Sequence, residues 1–225
     1  MSSTYNIAID GPAGAGKSTI AKLVAAKLGF IYVDTGAMYR AMAFYFLENG
    51  IQPEDETRVS AICGQIDISL RYQDGVQQVI LNGRDVSGKI RTEAVGNAAS
   101  VVSAYRAVRQ ALLALQQNLA KTSNVIMDGR DIGTCVLPNA QTKIYLTASS
   151  HVRAIRRYKE LTEKGQMCNL EEIEQDIIDR DYRDMHREIA PLTQAADAVL
   201  LDSSEMTIDQ VVDGIIGAAR ERGLA

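Results

Sequence analysis

Gly11, Pro12, Ala13, Gly14, Ala15, Gly16, Lys17 and Ser18 fit G-x-x-x-x-G-K-[ST] at every fixed position. The chemistry this spacing serves is the holding of a polyphosphate. Glycines let the backbone curl until successive N–H groups point inward, and a helix N-terminus behind them adds partial positive charge. Lys17 would reach the β- and γ-phosphates of a nucleoside triphosphate, and the Ser18 hydroxyl would hold Mg²⁺, with Thr19 closing the run. A glycine-rich turn that binds nothing shares this composition. The strand expected before it (Asn6–Asp10) and the helix after it (Lys17–Leu28) favour the phosphate reading.

A second set of residues suits a phosphate acceptor. Phe30–Val33 runs into Asp34, Thr35, Gly36 and on to Arg40, and Val125–Met127 runs into Asp128, Gly129, Arg130, Asp131 and Gly133. Ligands of open α/β sheets bind beyond the carboxyl ends of strands, where both groups fall. Asp128 would suit a partner of magnesium-bound water. Arg153, Arg156 and Arg157 lie at i, i+3 and i+4, and Arg180, Arg183 and Arg187 at i, i+3 and i+7 with Asp184 beside them. Each set would share a helix face. On a generic helix such a face is simply solvated, but phosphoryl transfer needs cations around the moving group, and arginine's planar fork grips two phosphate oxygens together. No Asn-Lys-x-Asp element of guanine recognition occurs.

The elements that must position these residues alternate. Strands are expected at Asn6–Asp10, Phe30–Asp34, Asn124–Asp128, Lys143–Thr147 and Ala198–Leu201. Helices are expected at Lys17–Leu28, Ala37–Asn49, Tyr105–Lys121, Ser150–Lys164, Leu170–Ile189 and Ile208–Arg222. That rhythm predicts an α/β fold with a parallel sheet covered on both faces. Gly29 and Gly50 stand where helices end on a left-handed residue. Ile66–Leu81 breaks the rhythm with alternation around Asp74-Gly75, a hairpin signal, and Asn82-Gly83 adds a second turn toward Val86. This reads as an antiparallel insertion, not an independent domain.

Composition narrows the classes. Net charge is −4 without Lys/Arg blocks, which argues against nucleic acid. Cys63, Cys135 and Cys168 are odd in number and form no C-x-x-C pair, which argues against a disulfide framework or zinc site. With no charged-then-apolar leader and no apolar run of spanning length, the expectation is a cytoplasmic protein without a membrane partner. No heptad or large apolar stripe demands a partner, so a monomer is expected.

Taken in order, Asp10–Ser18, Asp34–Arg40, Ile90–Thr92, Asn97–Ser100, Arg106–Arg109 and Asp128–Gly133 resemble a bacterial-type cytidylate (CMP) kinase of the nucleoside monophosphate kinase family. The resemblance continues through Ala148–Arg157, Arg180–Arg187, Ala190–Leu192 and Ala196-Asp197. It implies a single P-loop kinase domain over 1–225: a parallel-sheet core, a monophosphate-binding insertion at about 37–104 and a short helical lid at about 150–168. It also implies transfer from ATP·Mg²⁺ to CMP, and to dCMP. Thr35 and Arg40 would contact the CMP phosphate with Arg130 assisting; Ser100, Arg109 and Asp131 would read cytosine. Arg180 and Asp184 would hold the ribose hydroxyls, Arg187 would lie near base and phosphate, and Arg153 and Arg157 would close over ATP. His151 and Val152 depart from the acids common at the lid's start.

Residue chemistry supports the same base. Cytosine offers an N4 amino donor beside N3 and O2 acceptors, complementary to the Asp131 carboxylate with the Arg109 and Arg130 donors. Uracil would put an oxygen against Asp131. The attacking phosphate oxygen, with a second pKa of roughly 6, is mostly ionised at neutral pH, so no general base is needed. His151 and His186 have no catalytic context. The rival readings are a monophosphate kinase of other specificity (UMP/CMP or thymidylate) and a P-loop module that uses ATP as a switch.

Overall fold

The computed structural model describes residues 4–73 and 75–224. Asp74 of the expected hairpin turn lies outside them. The chain runs β1 (Asn6–Asp10), α1 (Lys17–Leu28), β2 (Ile31–Asp34), α2 (Thr35–Glu48), α3 (Glu56–Ile62), β3 (Ile68–Gln73), β4 (Val76–Leu81) and β5 (Arg84–Asp85). It continues with α4 (Glu93–Val102), α5 (Arg106–Thr122), β6 (Val125–Gly129), β7 (Thr142–Thr147), α6 (Ser150–Glu163), α7 (Leu170–His186), β8 (Val199–Asp202) and α8 (Ile208–Glu221).

Five strands form a parallel sheet in the order β2-β6-β1-β7-β8. Parallel strands are buried on both faces, so β1 and β6 read as unbroken apolar runs and their alternation shows only in where each residue packs. Ile7, Ile9, Ile126, Ile144 and Leu146 meet α1 and α8 on one side. Ala8, Val33, Val125 and Met127 face the opposite way, toward Met38, Phe46 and Leu112 of α2 and α5.

The second sheet is the expected antiparallel insertion, in the order β3-β4-β5. Gln73 pairs with Val76 across a two-residue turn whose Gly75 has φ 74°, and Leu81 pairs with Arg84 across Asn82-Gly83, at φ 47° and 78°. Left-handed conformations at both central positions are what the Asn-Gly pair accommodates. The hairpin is tied to the free edge of the large sheet. Gln77 accepts from the Asp34 N–H (2.9 Å) and donates to its carbonyl (3.3 Å), and the Tyr72 hydroxyl donates to the Tyr32 carbonyl (3.2 Å).

Two helix boundaries differ from the sequence expectation by more than one residue. The second helix begins at Thr35 instead of Ala37, because the Asp34 carboxylate caps it by accepting the Ala37 N–H at 2.9 Å. The seventh stops at His186, short of Ile189: Leu192 returns its N–H to the Asp184 carbonyl at 2.8 Å, with Ala190 left-handed at φ 49°. Helices α3 and α4 go beyond the expected set. Both begin on side-chain caps, Asp55 accepting from Arg58 N–H and Thr92 from Val95 N–H.

Where β1 leaves the sheet, Gly11 has φ 150°, and a Cβ there would lie 1.9 Å from the Leu146 carbonyl oxygen of β7. A side chain would have to push two core strands apart. Gly11→Ala is expected to cost about 2–4 kcal/mol in urea unfolding through strain and overpacking; a variant as stable as the parent would show that this strand end has room.

Candidate active site

All the chemistry-bearing groups collect at the carboxyl end of the large sheet, beginning with the loop between β1 and α1. Gly14 and Gly16 are left-handed (φ 74° and 83°), a backbone geometry that favours turning successive N–H groups toward one side. Lys17 opens α1 and donates to the Gly11 and Pro12 carbonyls at 2.8 and 2.7 Å. Burial, and then the nearby Arg130 guanidinium, push its pKa down to about 7.

The crown of the loop is held from outside. The Ala13 N–H donates to Asp181 of α7 (3.2 Å), and its carbonyl accepts from Arg153 of α6 (2.8 Å). Arg153 and Asp181 pair at 2.6 Å, both buried, and the Arg153 Nε also donates to the Ala148 carbonyl at 2.8 Å. So α6 and α7 grip the two peptide groups that flank one loop residue, Ala13.

Beside the loop, the Ser18 hydroxyl donates to Asp128 Oδ2 and the Tyr32 hydroxyl to Oδ1, each at 2.9 Å. Burial, reinforced by Asp34, raises the Asp128 pKa against the opposing pull of Lys17 and of the two hydroxyl donors. These are hard oxygen donors, suited to Mg²⁺. Among the described residues no three His, Cys, Asp or Glu side chains form a metal-holding group. A cation here would therefore be shared with phosphate oxygens and water, as Mg²⁺ typically is. The donor set fits that ion.

The acceptor side is dominated by arginine. Arg40 pairs with Asp34 at 2.9 Å and Arg91 with the same oxygen at 3.1 Å; Arg130 pairs with Asp184 at 2.8 Å. Burial works against ionisation of Asp184, but Arg130, Arg180 and Arg187 together outweigh it and the pKa falls. Burial and the Arg130 charge lower Arg180 to about 10, with Arg40 adding to the effect. The Nε–H groups of Arg40 and Arg180 are buried without a partner among the described residues. Cations crowded together with bare donors make a site for an anion.

Next to them Asp131, 4% exposed, pairs with Arg109 and lies 3.5 Å from Arg187. Burial raises its pKa against the pull of those two guanidiniums. The Tyr39 ring backs Arg109, 5.7 Å from its guanidinium carbon, and Arg109 also donates to the Ser103 carbonyl at 3.2 Å. Ser100 is half-buried on α4.

Several expected positions land differently. Arg153, Arg156 and Arg157 do not act as one face. Arg153 is committed to the loop crown, Arg156 donates to the Ser203 carbonyl at 2.7 Å, and Arg157 stands exposed, paired with Glu160 at 2.9 Å. Arg187 lies past the end of α7 and folds back onto the Ala190 carbonyl at 2.7 Å, while Arg183 is exposed. Thr35 is buried and gives its proton to the Asp128 carbonyl at 2.7 Å, tying β2 to β6. Sequence reasoning gave no individual role to Tyr32, Arg91 or Asp181, and it placed Asp34 at the strand end without its helix cap and two arginine partners. For Asp181 a signal existed, since it lies three residues before Asp184 on one helix face; for Tyr32 there was none.

Comparison with known proteins follows the same outline. The cytidylate kinase family model matches residues 7–221. A cytidylate kinase of Caldicellulosiruptor bescii is 51% identical over 211 residues, 94% of this chain and 93% of its own. One from Ligilactobacillus salivarius is 49% identical over 222 residues, 99% of each. A crystal structure of an uncharacterized protein from Eubacterium ventriosum superposes with a TM-score of 0.55 at 9% identity, covering 96% of this chain and 99% of the other, a likeness of fold alone.

The depressed Lys17 pKa has a measurable consequence. Because the group titrates near 7 when buried and near 10.5 in an unfolded chain, the unfolded state binds more protons between those values. The Lys17 contribution to stability therefore rises with pH across that window. A triphosphate beside Lys17 restores the ammonium, so its binding at pH 8 should take up about one proton per site. Calorimetry in buffers of different ionisation heat reads this directly. Uptake that persists in Lys17→Met would assign the proton elsewhere.

Proposed function

The chain belongs to the cytidylate kinase family, and we propose that its sheet-end cleft transfers the γ-phosphoryl group of ATP to CMP, and to dCMP, giving ADP and the diphosphate. The observation that carries this reading is the run at the end of β6. Asp128 turns toward the Lys17 loop, while Arg130 and Asp131, two and three residues on, meet the cluster of arginines. One short segment thus serves both a nucleoside triphosphate and a monophosphate.

In this reading Gly11, Pro12, Ala13, Gly14, Ala15, Gly16, Lys17, Ser18 and Thr19 wrap the ATP phosphates. Arg40, Arg130 and Arg180 receive the acceptor phosphate, supported by the two bare Nε–H groups. Thr35 acts by fixing the Asp128 backbone. Asp184 and Arg180 take the ribose hydroxyls, and Asp131, Arg109, Arg187 and Ser100 form the base pocket. Asp131 stands there between two guanidiniums, its carboxylate oxygens an acceptor matched to cytosine N4.

Mg²⁺ would be held by Ser18 and by Asp128, directly or through water, and when bound it neutralises charge on the transferring phosphate. The rest is alignment. Two polyanions repel, and the buried arginines offset that repulsion while holding the attacking oxygen in line. Arg153 positions the loop crown, and Arg157, on the exposed side of a lid at about 150–168, would swing in as the site closes and sheds water. The insertion at about 37–104 carries Arg40, Ser100 and the Gln77 tether. No helix among the described residues is long and apolar enough to cross a membrane; we read the protein as a cytoplasmic monomer that binds neither membrane nor nucleic acid.

An ADP-release assay with ATP·Mg²⁺ and each of CMP, dCMP, UMP, AMP, GMP and dTMP tests the assignment. Strong preference for CMP and dCMP is expected; release of ADP regardless of acceptor would favour a nucleotide switch. Lys17→Ala should lower kcat by about 100-fold or more, the scale of losing one preorganised transition-state donor. Asp131→Ala should reduce kcat/KM for CMP roughly 10- to 100-fold more than for UMP, since a polar mismatch already burdens uracil. Equal losses on both acceptors would rule out base reading by Asp131.

A further inference from the structure

Asp10 has no part in the assignment above, yet both its oxygens are committed. It ends β1 directly before Gly11 and is 4% exposed. Oδ1 accepts the Ile132 N–H and Oδ2 the Gly133 N–H, both at 2.7 Å. Burial pushes its pKa up to about 6, so at neutral pH the carboxylate is ionised and both oxygens accept.

The two amides open the π-helical turn Ile132–Val136. First-turn amides have no acceptor within their own helix, and buried ones must find another. The register of β1 with β6 ends at the pair Asp10 and Gly129. Arg130 and Asp131 are therefore a two-residue bridge between the last rung of the sheet and the Asp10 carboxylate. The turn side is built for this approach: a Cβ on Gly133 would lie 3.3 Å from Asp10 Oδ2 and 3.1 Å from the Lys143 side chain. An apolar residue could have completed β1, as Ile7 and Ile9 do, without burying a charge.

We infer that Asp10 is a positioning residue for acceptor recognition: by clamping the Ile132 and Gly133 amides it sets where Arg130 and Asp131 stand relative to the phosphate loop. The inference deepens the proposed function and rests on its reading of Arg130 and Asp131. The clamp spans the two halves of the site, since its carboxylate belongs to the strand that launches the loop and its donors belong to the turn that reads the acceptor.

The test compares wild type, Asp10→Asn and Gly133→Ala by steady-state kinetics with ATP and either CMP or UMP, with thermal unfolding of each. Asp10→Asn sets an amide donor against a backbone N–H. Gly133→Ala strains the same contact from the turn and leaves the residue before Gly11 untouched. Both should raise KM for CMP about 10-fold and cut the CMP:UMP ratio of kcat/KM about 10-fold, the effect expected when reading groups drift by a fraction of an ångström. KM for ATP should stay near the wild-type value. A folded variant that loses only thermal stability, with CMP KM and the ratio intact, overturns the inference. So does an ATP KM that rises as far as the CMP KM, which would assign Asp10 to the phosphate loop. If wild type itself does not distinguish CMP from UMP, base reading by Asp131 fails, and the clamp stands or falls on the acceptor KM of the two variants.

Discussion

A carboxylate inside a protein is tolerated only when something offsets the water it has lost, and this sheet end buries Asp10, Asp34, Asp128 and Asp131 within a few residues of one another in space. Each is offset differently. Asp10 takes two backbone amides, Asp34 a helix cap and two arginines, Asp128 two hydroxyls, and Asp131 a pair of guanidiniums. Asp128 accepts only from neutral hydroxyls, and burial with Asp34 raises its pKa against the pull of Lys17. Four buried acids at one sheet end thus have four different sets of partners.

The arginines obey the converse rule. Arg130 is satisfied by Asp184 and Arg109 by Asp131, whereas Arg40 and Arg180 each keep a buried donor free. Such donors are costly in a folded chain unless function uses them. Burial and then the Arg130 charge lower the pKa of both Lys17 and Arg180, so these cations share one field, which favours anions.

Rigidity comes from tethers that cross between elements. Thr35 ties β2 to β6, Gln77 ties the insertion to the edge of β2, and the Arg153–Asp181 pair ties α6 and α7 to Ala13. Because the last of these grips Ala13 through both its N–H and its carbonyl, a shift of α6 and α7 is transmitted to the loop crown. Arg157, unattached to the loop and exposed, is free to follow such a shift.

Most of the elements, though not α3 and α4, and the general chemistry are legible in the residue pattern alone. The phosphate loop, the strand–helix alternation, the hairpin with its Asn82-Gly83 turn and the strand-end clusters around Asp34 and Asp128 rest on local patterns, and local patterns are set by backbone sterics and hydrophobic periodicity. Tertiary structure decided the destinations of the side chains. Helix spacing puts Arg153, Arg156 and Arg157 near one face of α6. It does not say that the first meets Ala13, the second Ser203 and the third solvent, because those partners arrive from elsewhere in the chain. Likewise, nothing local to Asp10 points to Ile132, 122 residues away, or to Tyr32 as a donor to Asp128. A side chain's direction follows from its own element; its partner follows from how the sheet brings separate strand ends into register.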